Sequence, residues 1–113
     1  MTGNGARTKG NGQPRAPKDL SREGRRLWQC LFDASDIDAV AEPLLHSFCQ
    51  HWDTVQQARA LLAKEGIILT EKTAAGLEKR RAHPAVSVER DASAAMMRAW
   101  RLLGYDQAPP EGM

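Results

Sequence analysis

Residues 45–66 read LHSFCQHWDTVQQARALLAKEG. Within them Leu45, Phe48, Trp52, Val55 and Leu62 recur at steps of three, four, three and seven. That spacing stacks side chains on one face of an α-helix. Gly66 follows directly, in the place where helices commonly end in a left-handed residue. Upstream stands Pro43, whose missing N–H is tolerated only in the first helical turn. The helix is therefore expected to begin between Asp36 and Glu42 and to run to about Glu65.

A second stripe, Ala85, Val88, Ala92, Ala95, Ala99 and Leu102, repeats in the same rhythm. Pro84 suits the first position of that helix, and His83 before it is biased to extended backbone. Leu103-Gly104 close it. Two stripes with little else apolar cover each other only partly, so the chain reads as a subunit of an assembly. The expected arrangement is an antiparallel hairpin of two long helices. Contacts with neighbouring copies would use Leu45, Phe48, Trp52, Val55, Leu62, Val88, Ala92, Ala99 and Leu102. The small residues Ala85, Ala92, Ala95 and Ala99 would let the helices approach closely.

Working outward, a shorter first helix is expected from Arg22 to Phe32 or Ala34. Ser21 can cap it, because its hydroxyl accepts from a first-turn amide that lacks a helical partner. Leu20, Leu27, Trp28, Leu31 and Phe32 supply its apolar face. Between the long helices, Ile67 to Thr70 suits a short extended piece and Thr73 to Gly76 a turn. Glu78 to Arg81 is a charged run, expected as solvated surface, with phosphate contact from a loop as the alternative. Residues 1–19, with Gly3-Asn4-Gly5 and Gly10-Asn11-Gly12, lack any large apolar anchor and are expected to be disordered. Residues 20–104 form the helical body, and residues 105–113, with Pro109-Pro110, a flexible tail. The fold class is all-α.

The chain has 113 residues and a formal net charge of +2, enough length for one domain. The charge is unevenly placed. Before Leu27 stand Arg7, Lys9, Arg15, Lys18, Arg22, Arg25 and Arg26 against only Asp19 and Glu23. From Leu27 to Ala58 there are acids (Asp33, Asp36, Asp38, Glu42, Asp53) and no Lys or Arg. A basic arm on an acidic body suits contact with a polyanion. Those seven cations are the candidate DNA-binding set, with a solubilising tail as the alternative.

Catalytic signatures are absent from the sequence: no Walker-type loop, no HExxH, no CxxC, no Ser flanked by glycines. His46 and Cys49 share a helix face, which a metal could use. Cys49 lies on the apolar stripe, however, where a buried thiol is ordinary. No metal and no cofactor are expected. Cys30 and Cys49 read as reduced thiols on apolar helix faces, in a cytosolic protein. No apolar run approaches a membrane span, and the N-terminus carries no hydrophobic signal core. Trp28, Trp52 and Trp100 fall one per helix. Trp52 and Trp100 sit on or near the stripes, which favours packing over base stacking.

The order of features resembles one family. It runs from a basic N-terminal segment through Pro17-Lys18-Asp19-Leu20-Ser21 to Leu27-Trp28-Gln29-Cys30-Leu31. It continues with Leu45, Phe48-Cys49, Ala58 to Leu62, Lys64-Glu65-Gly66, His83-Pro84 and Leu102-Leu103-Gly104. This is similar to the P27-type small subunits of tailed-phage terminases. Three positions depart from the family pattern. His83-Pro84 stands where Asn-Pro is usual. Tyr105 to Pro109 replaces a Leu-Thr-Pro stretch with an Arg. Asp36, Asp38 and Glu42 occupy a region that usually holds a Thr or Ser followed by an Asp.

The resemblance implies a ring-shaped homo-oligomer without catalytic activity, working in the host cytoplasm. It implies binding of double-stranded viral concatemeric DNA. It further implies delivery of that DNA to the large terminase subunit, which holds the ATPase and nuclease. The alternative function is a small helical DNA-binding transcriptional regulator, for which the first helix and its arginines would be the reader.

Overall fold

In the computed structural model, which describes residues 15–105, helix formation follows the two stripes. The elements are α1 (Arg22–Ala34), α2 (Glu42–Glu65), β1 (Ile68–Lys72), β2 (Glu78–Ala82) and α3 (Pro84–Leu102). α2 begins at Glu42 with Pro43 in its first turn. Its start is set from outside: Asp38 Oδ1 accepts from the amides of Val40 and Ala41, at 3.1 and 2.8 Å. Gly66 closes α2 at φ 85°, the positive φ expected there, but its ψ of 163° takes the chain into extended backbone rather than the left-handed helical cap.

α2 and α3 pack along each other as an antiparallel pair, and α1 packs on α2. The stripe residues meet in one core: Leu45, Phe48, Cys49 and Trp52 from α2, Leu27, Trp28 and Leu31 from α1, and Ala99 and Trp100 from α3. Aromatic rings knit it together. Trp28 stacks on Phe32 at 4.7 Å, and Phe48 lies 5.0 Å from Trp100. Leu27, Leu45 and Phe48 are fully buried, each contributing about 1.5–3 kcal/mol by removal from water.

α1 is therefore the third layer that the stripes alone did not reveal. It covers only part of α2. At 1.5 Å per residue, a 13-residue helix spans about 20 Å and a 24-residue one about 36 Å. The molecule has a three-helix end around Trp28, Phe48 and Trp100. Its other end has only two helices.

The all-α expectation is corrected in one place. The structure is mostly helical, but residues 68–82 form a two-stranded antiparallel sheet, with Ile68 opposite Ala82 and Lys72 opposite Glu78. The turn is held by Thr73 N–H donating to Leu77 O at 2.7 Å, with Gly76 at φ 82°. The sequence hid β2 because all five of its residues are exposed, so no apolar alternation marks a strand.

The other departures are local. α3 stops at Leu102, with Gly104 left-handed beyond it at φ 93°. Residues 15–19 belonged to the expected loose arm, but Pro17 is buried and Ala16 packs on the core. Tyr105 stacks on Trp100 at 4.2 Å and bonds Ser35. The expectations of a disordered arm over residues 1–14 and a flexible tail over 106–113 lie outside the described residues.

One buried polar group ties α1 to α2. Asp53, 8% exposed on α2, accepts from Ser21 N–H at 2.7 Å and Ser21 Oγ–H at 2.5 Å. Ser21 Oγ in turn accepts from Gly24 N–H at 2.9 Å, the cap foreseen in the sequence. Gly24 lets the carboxylate come this close, because a Cβ there would overlap both Asp53 oxygens. Gly24→Ala is expected to destabilise the chain. Alanine's helix preference is worth only about 1 kcal/mol. Against it stand overpacking at about 1–3 kcal/mol and weakened charge-assisted bonds of similar size. Urea unfolding of the variant should show a lower midpoint with the same slope. A raised midpoint would contradict the lock.

Candidate nucleic-acid interface

The buried face of α1 is Gly24, Leu27, Trp28 and Leu31. Helical geometry puts Arg22, Arg25 and Arg26 on the opposite side, and all three are exposed, as are Arg15 and Lys18. Arg25 folds back to donate from Nη1 to Leu20 O at 2.7 Å, bracing the turn before α1. None of these five cations makes an ion pair among the described residues. Arg15, Lys18, Arg22, Arg25 and Arg26 are thus exposed on α1 or in the segment just before it. Arg7 and Lys9 lie outside the described residues.

Two acids lie among these cations, Glu23 in the first turn of α1 and Asp19 beside Lys18; others sit further along the chain. Asp33, Asp36 and Asp38 are exposed where α1 turns into α2. On α2 and α3, Arg59 pairs with Glu89 at 3.1 Å and Arg90 with Asp91 at 3.3 Å, while Lys64, Arg98 and Arg101 are exposed and make no ion pair among the described residues. Trp28 is fully buried, so it offers no exposed ring beside Arg25 and Arg26 on which a base could stack.

The histidines hold the frame. His46 Nε2 meets Asp19 Oδ1 at 2.8 Å, and Gln50 Nε2 donates to Asp19 Oδ2 at 2.7 Å. The Gln50 bond, helped by His46 and opposed by slight burial, holds the Asp19 carboxyl below its usual value. This link therefore stabilises at neutral pH and is lost as acid protonates Asp19. His83 caps α3: its Nδ1 accepts from Ala85 N–H at 3.0 Å. Its Nε2 must then carry the proton, donated to Glu65 Oε1 at 2.8 Å. His83 thus supplies the N-cap acceptor that an Asn would, which accounts for the His-Pro departure. Among the described residues no group of three or more His, Cys, Asp or Glu side chains could hold a metal ion.

The residues expected at contacts between copies divide into two groups. Leu45, Phe48, Trp52, Val55, Ala92 and Ala99 are buried within their own chain. Leu62 is half-buried, while Val88 and Leu102 are 46% and 70% exposed. The sequence stripe did not contain Leu61, 39% exposed. At the two-helix end Leu61 and Val88 flank an open groove of about 340 Å³, floored by Ala58 and Ala85. A second feature missed was Asp53. A lone acid beside Trp52 carries no pattern, and only the packing of α1 reveals its role.

Cys49 is buried, and Cys30 is exposed. Burial, followed by the negative charges of Asp53 and Glu42, pushes the Cys49 thiol up to about 12. Cys49 should stay a protonated, unreactive thiol at neutral pH. A maleimide reagent is expected to label one cysteine per native chain, Cys30, and the second only in denaturant. Two fast-reacting thiols would contradict this packing.

No helix among the described residues is long and apolar enough to cross a membrane. No curated protein and no solved structure matches the chain. Residues 22–108 match the family model described as "Phage terminase, small subunit". The match opens at the first residue of α1 and runs past α3. Spanning every helix and strand described above, it places this chain in the phage terminase small-subunit family.

Proposed function

We propose that this chain is the non-catalytic, DNA-binding subunit of a phage or prophage terminase of the P27 type. In this reading it assembles into a ring of identical copies in the host cytoplasm. It recognises concatemeric viral DNA and passes the DNA to the large subunit, where the ATPase and nuclease reside. The observation that carries the reading is the family match, joined to five exposed cations within residues 15–26 that make no ion pair among the described residues. Such cations bind DNA by releasing its condensed counterions. The alternative, a transcriptional regulator, has no observation in its favour. Its proposed reader, α1, spends Trp28 on the core and turns Arg25 back to Leu20.

For the assembly, the groove between Leu61 and Val88 is the surface proposed to seat a neighbouring copy, with Leu102 as a further apolar point. These positions are exposed in the single chain, so changing them leaves the core intact. Leu61→Asp with Val88→Asp should lower the native mass by light scattering while helical circular dichroism stays unchanged. For the unaltered chain, a multi-subunit mass with rings in electron micrographs is expected. A strict monomer at micromolar concentration would refute the ring.

DNA binding has its own measure. Replacing Arg22, Arg25 and Arg26 with Ala should reduce the slope of log K against log salt by about 0.9 for each phosphate no longer neutralised. Retention of DNA at low salt with an unaltered slope would exclude α1 from the interface.

A further inference from the structure

A helical hairpin is closed by about two to five residues, yet residues 66–83 separate α2 from α3. The added length builds the β1–β2 ribbon, whose strand residues are all exposed except the half-buried Leu69. The strands pair extensively with each other and hardly at all with the helices. A lone two-stranded hairpin is marginal in water, and this one buries little of the core. Its retention calls for a role outside the fold.

Its side chains indicate that role. The ribbon carries Lys72, Lys79, Arg80 and Arg81 against Glu71 and Glu78. Arg81 is held by Glu71 at 3.1 Å. Lys72, Lys79 and Arg80 meet no acid in an ion pair among the described residues. The register sets Lys72 and Arg80 on one face and Lys79 on the other. A two-stranded ribbon fits the major groove of B-DNA, where cations on both faces reach phosphates on both walls.

We infer that the β1–β2 ribbon is a second DNA-contacting element, with Lys72, Lys79 and Arg80 meeting backbone phosphates of double-stranded DNA. This rests on the DNA-binding function proposed above and adds a surface separate from α1. The competing role for these charges is to guard the open strand edges against pairing with another chain.

The experiment uses the full chain and a random-sequence DNA duplex, with binding measured across a salt series. Lys72→Ala, Lys79→Ala and Arg80→Ala together should lower the salt slope by about 0.9 for each phosphate the ribbon ceases to neutralise. The charge-preserving set Lys72→Arg, Lys79→Arg and Arg80→Lys should restore it. A triple-alanine slope equal to that of the unaltered chain, with DNA still bound, would overturn the ribbon while leaving the proposed function standing. Failure of the unaltered chain to bind DNA at any salt would overturn both. A change in native mass with no change in slope would assign the charges to edge guarding.

Discussion

The structure depends on a carboxylate of α2 that serves the N-terminus of α1. Asp53 takes two hydrogen bonds from Ser21, whose own hydroxyl takes one from Gly24. The first-turn amides of a helix have no partner within it, and the end carries partial positive charge. A buried acid is therefore stable there where it would be costly elsewhere. The arrangement does two things at once. It starts α1 at one residue, and it fixes where along α2 that residue sits. Everything α1 then buries, from Leu27 to Leu31, falls into register against Leu45, Phe48 and Trp100.

Because the lock is at Asp53, α1 runs back over the first half of α2 and leaves the second half bare. The two ends of the molecule differ for this reason. Three helices close a core at one end, and two helices leave Leu61 and Val88 on an open groove at the other. The polar groups near that end are already engaged: His83 caps α3 and donates to Glu65, and Arg59 pairs with Glu89. Leu61 and Val88 leave apolar surface exposed there, the kind that association covers.

Helix boundaries were legible in the sequence wherever backbone chemistry is local. Ser21, Pro43, Gly66 and Pro84 each act through their own φ, hydroxyl or missing N–H, and each marks the end it was expected to mark. The stripes were legible as faces, though their partners were not. A period of three and four says that Phe48 is buried; it does not say whether α1, α3 or another copy buries it. Leu27 and Trp28 marked the apolar face of α1, but nothing in their spacing says that α2 receives it. β2 was illegible for the opposite reason. Its strand pairs by backbone hydrogen bonds while every side chain faces water, so Glu78 to Arg81 read as a charge run. The cations of the candidate site were readable by composition. Their separation from the acids at Asp33, Asp36 and Asp38 was readable along the chain as well.

That separation has a consequence for any polyanion near the chain. Charges paired on α2 and α3 contribute little field at a distance, since each cation is cancelled within a few ångströms. Among the described residues, cations outside ion pairs stand before and on α1, on the ribbon (Lys72, Lys79, Arg80) and on the long helices (Lys64, Arg98, Arg101), while Asp33, Asp36 and Asp38 crowd the α1–α2 turn. At physiological salt the screening length is about 8 Å, shorter than the roughly 20 Å span of α1. A phosphate backbone near Arg22 is therefore attracted without sensing Asp36, and one near Asp36 is repelled without sensing Arg22. In the DNA-binding reading proposed above, this layout would favour a duplex at the arginines of α1 over the acidic turn, so the orientation of binding would come from the charge layout rather than from any single contact.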